Sequence, residues 1–150
     1  MMLPEPVRIE QPGEGIILFN ADCRYILPTL REVDVCLTDP PYGAETQSNA
    51  RSQKNKTFNE AAHSQYIGFQ IDEHTLRLIF DSIGQITNRW TVANMEFRHA
   101  AKFEEHPPEG MRFVRMGCWV KNNGAPQFTG DRPAQGWETI AILHAAGARL

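Results

Sequence analysis

Cysteine is scarce in this chain of 150 residues: Cys23, Cys36 and Cys118 are odd in number and far apart. That spacing excludes a disulfide framework and a cysteine-based zinc site, and their apolar surroundings predict small buried residues in a reducing compartment. The five histidines show no ligand spacing either, so no metal is expected. A basic excess is also missing. Fifteen Lys and Arg stand against eighteen Asp and Glu, a formal net charge of -3, so any contact with nucleic acid must come from a local patch. No apolar run approaches membrane-spanning length and the N-terminus lacks a signal-peptide pattern, which makes a cytoplasmic location the expectation. There is no internal repeat and no low-complexity tract. What remains, 41% hydrophobic and 22% charged residues, is the composition of one globular domain, short for an enzyme that must hold two substrates.

The most informative stretch is Asp39-Pro40-Pro41-Tyr42, which follows the apolar, β-branched run Val33-Asp34-Val35-Cys36-Leu37-Thr38. The run reads as a buried strand. Two consecutive prolines forbid both helix and further sheet pairing, so the chain must leave the sheet in a rigid, extended turn at the strand's C-terminal edge. In open α/β sheets that edge is where ligands bind. A carboxylate, proline carbonyls outside any ladder and an aromatic ring then lie within four residues. Such a group can accept hydrogen bonds from a planar amine and stack on its ring.

Taken with Ile17-Leu18-Phe19-Asn20-Ala21-Asp22-Cys23 and Leu27-Pro28, the stretch through Gly43 resembles the amino-directed DNA methyltransferases. It is most similar to the permuted group, in which the catalytic motif precedes the cofactor motif. The likeness covers residues 16 to 43 well and runs more loosely through Trp119-Val120-Lys121 and Gly130-Asp131-Arg132-Pro133 to Trp137-Glu138. It implies an α/β, Rossmann-like fold: a mostly parallel sheet with flanking helices and an antiparallel C-terminal hairpin. Residues 1–15 are then an extended leader and 16–150 the catalytic part of the domain. The family's aromatic-x-Gly-x-Gly-like loop, which cradles the methionine part of the cofactor, has no counterpart here. The isolated glycines at 124, 130, 136 and 147 sit in unsuitable contexts, so the resemblance implies an incomplete fold completed by a further segment or a second chain.

The resemblance also implies S-adenosylmethionine as methyl donor and a base in DNA as acceptor, with Asp39, Pro40, Pro41 and Tyr42 catalytic. An exocyclic amine is a poor nucleophile because its lone pair is delocalised. Acceptors such as Asp39 and the Pro40 carbonyl, placed where its two N–H bonds point in the tetrahedral geometry, favour attack. Tyr42 offers a face for a base extruded from the duplex. Asp at the first motif position is more typical of adenine than of cytosine enzymes. Asp22, with Cys23 donating its backbone N–H and Asp39 nearby, would bind the cofactor; as plain local structure Asp22 is equally a helix N-cap. Methylation of RNA or of a protein amide is the alternative of the same chemistry. A non-catalytic fragment that binds nucleic acid or a partner subunit is the alternative of a different class.

Around this centre the chain reads in order. Ile16 to Phe19 is a strand, expected parallel to and beside Val33–Thr38, which would put Asp22 and Asp39 on one edge. Gly43 to Gln70 is polar and aperiodic, either a solvated loop or one whose Arg51, Lys54 and Lys56 order on DNA phosphates. Asp72 caps a helix with Leu76, Ile79, Phe80, Ile83 and Ile86 at steps of three and four, and Trp90–Asn94 is the next parallel strand. A second helix spans Glu96–Phe103. Met111–Lys121 and Gly136–His144 form an antiparallel pair. The loop between them brings Lys121 and Arg132 toward DNA phosphate, or into ion pairs with Glu138 or Asp131.

Overall fold

The structure is a computed structural model and describes residues 8–42, 71–122 and 136–147. Strand β1 (Arg8–Gly13) pairs antiparallel with β2 (Ile16–Asn20) in a two-stranded ribbon. Helix α1 (Cys23–Ile26) continues into a 3-10 turn at Leu27–Thr29, with Pro28 where its missing N–H costs nothing. Strand β3 (Val33–Thr38) leads to the Pro-Pro turn. Then come α2 (Glu73–Ile86), β4 (Thr87–Met95), α3 (Phe97–Glu105), β5 (Met111–Val120) and β6 (Trp137–Ala145). Strands β3, β4, β6 and β5 form a second sheet in that spatial order. β3 and β4 are parallel, while β6 is antiparallel to both β4 and β5.

The α/β architecture, the β3-α2-β4 unit and the antiparallel C-terminal hairpin are as the sequence predicts. Over the described strands, however, the sheet is mixed, with β3–β4 its one parallel pair. A larger correction concerns the N-terminal part. The predicted leader becomes strand from Arg8 on, and β2 lies beside β1, not beside β3. Its cause is Glu14-Gly15: Gly15 takes φ 75°, open to glycine at little cost, and closes a two-residue connection that sends the chain straight back on itself.

The core lies on one face of the four-stranded sheet. Leu76, Phe80 and Ile83 of α2 and Ala100 and Phe103 of α3 pack on Ala93, Met95, Ala141, Leu143 and Met111. Phe80 and Phe103 meet edge to face at 4.8 Å. Asp72 caps α2, accepting from the Thr75 backbone N–H at 2.7 Å. At its other end α2 touches the turn before β5, where a Cβ on Gly84 would stand 2.1 Å from the Glu109 carbonyl oxygen. Asp81 Oδ1 accepts from the Glu109 N–H at 2.7 Å, so the contact is tied as well as close. Arg77 donates to the carbonyls of His106 and Pro107, closing the C-terminal end of α3.

On the opposite face, Leu37 of β3 and Trp119 of β5 are 75% and 58% exposed. At the end of the sheet away from the Pro-Pro turn, His144 is buried with its ring edge to face with Trp90 at 4.5 Å. The cysteines depart from expectation. All three are unbridged, but Cys23 of α1 and Cys118 are exposed and Cys36 is half-buried; Cys36 and Cys118 lie on β3 and β5, which are covered on one side only. No helix among the described residues is long and apolar enough to cross a membrane.

Candidate active site

The turn leaves the sheet where the sequence puts it. Asp39 to Tyr42 follow Thr38, the last residue of β3 and the partner of Ala93 at the C-terminal end of β4. Asp39 is exposed, Pro40 is buried, and Pro41 and Tyr42 are half-buried. A buried proline behind an exposed carboxylate is a rigid mount: φ is fixed, and no N–H is left to satisfy.

Three other strand ends lie on the same edge of the sheet. β4 ends at Met95, followed by Glu96; β6 begins at Trp137-Glu138; β5 ends at Val120, followed by Lys121. The Tyr42 hydroxyl donates to the Glu138 carboxylate. Burial, then the charges of Glu138 and Asp39, that hydrogen bond and the Glu96 charge push the Tyr42 hydroxyl up to about 12. Lys121 Nζ is paired with Glu138 Oε1, and its backbone N–H donates to the Gly136 carbonyl at 2.8 Å. Of the two readings of Lys121, the structure therefore has the ion pair with Glu138, which leaves this ammonium committed within the site.

The edge is thus rich in carboxylates. Asp39, Glu96 and Glu138 gather round one phenol, and Lys121 offsets one of them. Such a field repels phosphate and favours a cation or a group gaining positive charge. Glu96 and Glu138 were not singled out for chemistry by sequence reasoning. The signal for Glu96 was its position next to the end of a strand that reaches this edge, and Glu138 was named only as an ion-pair partner of Lys121.

Asp22 stands apart from this group in the sheet topology. It is the N-cap of α1, accepting from the Arg24 N–H at 2.9 Å, and the Arg24 guanidinium closes on both of its oxygens. That guanidinium, as a hydrogen-bond donor first, holds the Asp22 carboxyl below the usual carboxylate range. Three N–H donors of Arg24, its backbone N–H, Nε and Nη2, engage the two oxygens, with the Nε bond shared between them. As a site for an adenine amine, Asp22 fits only after Arg24 swings away, which its half-exposed side chain has room to do. Partial desolvation, then the Asp22 charge, raises the neighbouring Cys23 thiol. The expected pairing of Asp22 and Asp39 on neighbouring parallel strands is overturned by the β1–β2 ribbon. Arg51, Lys54, Lys56 and Arg132, with the loops that carry them, lie outside the described residues.

No protein-family model matches the sequence, and no curated protein does. Solved structures do match the fold. M1.HpyAVI in complex with SAM superposes with a TM-score of 0.58 at 18% identity, over 86% of this chain and 54% of that one. A second structure of M1.HpyAVI gives 0.58 at 20% identity, over 86% of this chain and 55% of that one. TTHA0409 of Thermus thermophilus, described as a DNA modification methylase, gives 0.51 at 13% identity and 52%. The chain therefore shares the fold of these structures over the part it covers, and it spans about half of their length.

Proposed function

We propose that this chain is the catalytic part of an S-adenosylmethionine-dependent methyltransferase acting on the exocyclic amine of a base extruded from DNA, adenine rather than cytosine. The observation that carries the reading is the Asp39-Pro40-Pro41-Tyr42 turn, standing at the C-terminal end of β3 with Asp39 exposed, in a fold shared with a protein solved with SAM. The permuted arrangement and the choice of adenine rest on the motif alone.

In this reading the donor supplies an electrophilic methyl on a sulfonium sulfur. The protein's own groups do the rest. Asp39, exposed and anionic, accepts one amine N–H, and the Pro40 carbonyl takes the other. Both contacts improve as nitrogen becomes tetrahedral, which is differential stabilisation of the transition state. The Tyr42 ring offers the stacking face. Asp39, Glu96 and Glu138 suit both the cationic donor and the positive charge that appears on the attacking nitrogen. Phosphate contacts fall to Arg51, Lys54, Lys56 and Arg132, because Lys121 is committed to Glu138.

The cradle for the donor's methionine end comes from a further segment or a second chain. The unmatched half of the M1.HpyAVI length supports this, as does the apolar surface exposed on the β1–β2 ribbon. One observation favours a second reading, a fragment that binds without transferring methyl: Asp22, the expected cofactor acceptor, is already filled by Arg24.

Incubation with methyl-labelled S-adenosylmethionine and duplex DNA, followed by nucleoside analysis, decides between them. The proposed function predicts label in N6-methyladenine. Label in N4-methylcytosine corrects the base. No label in DNA, together with no heat of binding on titration with S-adenosylmethionine, leaves the fragment reading.

A further inference from the structure

We propose that Glu138, braced by Lys121, is a positioning residue for Tyr42, fixing through the phenol hydroxyl the ring on which the base stacks. The inference deepens the proposed function and rests on it for the identity of the stacked group. Its basis is the order of strands. Tyr42 follows β3 and Glu138 lies at the start of β6, with β4 between them in the sheet. The hydroxyl–carboxylate bond therefore spans the edge at which β4 ends, where the Glu96 charge also acts on the phenol.

The two ends of this bridge differ in how firmly they are held. Glu138 sits within the β5–β6 ladder, opposite Trp119, and Lys121 holds both its carboxylate and the strand start beside it. The ammonium pairs with its carboxylate, and the Lys121 backbone closes the hairpin onto Gly136. Tyr42 has no such ladder. It lies beyond the last residue of β3, after two prolines that have no N–H to donate. A ring on a flexible Cα–Cβ–Cγ pair of torsions is fixed once its far end is tied, and Glu138 ties it. Lys121 keeps the tie in place by setting the carboxylate's orientation.

This gives the hydroxyl a role that stacking alone does not. A base on an aromatic face needs only the ring, so stacking by itself leaves Tyr42→Phe nearly silent. With Glu138 as the anchor, Tyr42→Phe and Glu138→Gln both release the ring. They act through one contact, so their effects must overlap.

The contact is tested first on the 150-residue chain, with tyrosine carrying a 13C label at Cζ and the Tyr42 signal assigned by its loss in Tyr42→Phe. Glu138→Gln, which keeps shape and removes charge, should shift that signal at neutral pH. It should also bring the titration down from about 12 toward the ordinary tyrosine value near 10. The Tyr25 signal should not move. Single-turnover methyl transfer to DNA is the second arm. Tyr42→Phe and Glu138→Gln are each expected to lose about tenfold in rate with DNA affinity held, and the double variant no more than either single one.

An unmoved Tyr42 signal in Glu138→Gln overturns the proposal, as do losses that multiply in the double variant. A chain that shows the signal shift yet transfers no methyl in any form keeps the Tyr42–Glu138 tie and counts against the proposed function instead.

Discussion

Beneath α2 and α3, Phe80, Ala93 and Leu143 are sealed at 0% exposure. On the β1–β2 ribbon, Ile9, Ile16, Ile17, Leu18 and Phe19 stand between 38% and 57% exposed. The residue types are alike, and the difference is a covering layer. A sheet buries an apolar face only when another element packs on it, and a two-stranded ribbon has no second layer of its own. Apolar composition along a strand thus says that a face is meant to be covered, not by what. On the ribbon several large apolar side chains stand exposed together.

The largest break in this comparison comes from the covered side. Phe80→Ala removes a ring at the centre of the core and its edge-to-face partner on Phe103, and is expected to cost about 3–5 kcal/mol in chemical unfolding. Gly84→Ala attacks the same layer through backbone. Its methyl meets the Glu109 carbonyl oxygen at 2.1 Å, on a turn that Gly110 holds at φ 76°, so neither side has a flexible side chain to yield. A loss of about 2–3 kcal/mol is expected in the same measurement, comparable to overpacking elsewhere. On the ribbon the effect should nearly vanish. Ile17→Thr, at 52% exposure, is expected to change unfolding of the isolated chain by less than about 0.5 kcal/mol. A cost near that of Phe80→Ala would show that the ribbon is part of the core after all.

Sequence carried the covered side well. Asp72 and the three-and-four spacing of Leu76, Phe80 and Ile83 define α2, because local capping and amphipathic period act together there. The ribbon was misread because its pairing depends on one dihedral: Gly15 at φ 75° turns β1 back on β2, and a glycine in a Pro- and Gly-rich stretch equally suggests an irregular leader. The burial of the cysteines was misjudged for the reason that exposes Leu37. Strand propensity predicts a pleated element, while the layer above it is a tertiary matter.

In the site, Asp39 to Tyr42 was legible because Pro-Pro dictates its own geometry. Glu96 and Glu138 were not. They come to Tyr42 through the strand order β3-β4-β6-β5, which no local pattern encodes. For Lys121 the sequence left two readings open, DNA phosphate or an ion pair with Glu138, and the pairing of β5 with β6 decides for the ion pair.

The central claim is that Asp39 works on the reacting amine. Single-turnover methyl transfer with saturating S-adenosylmethionine and DNA, compared between the wild-type chain and Asp39→Ala in its methyl-transferring form, tests it most directly. A group aimed at the transition state is expected to take the rate down by about a hundredfold to a thousandfold while DNA binding changes little. Asp39→Ala with most of its rate intact would contradict the account and move the chemistry away from this turn.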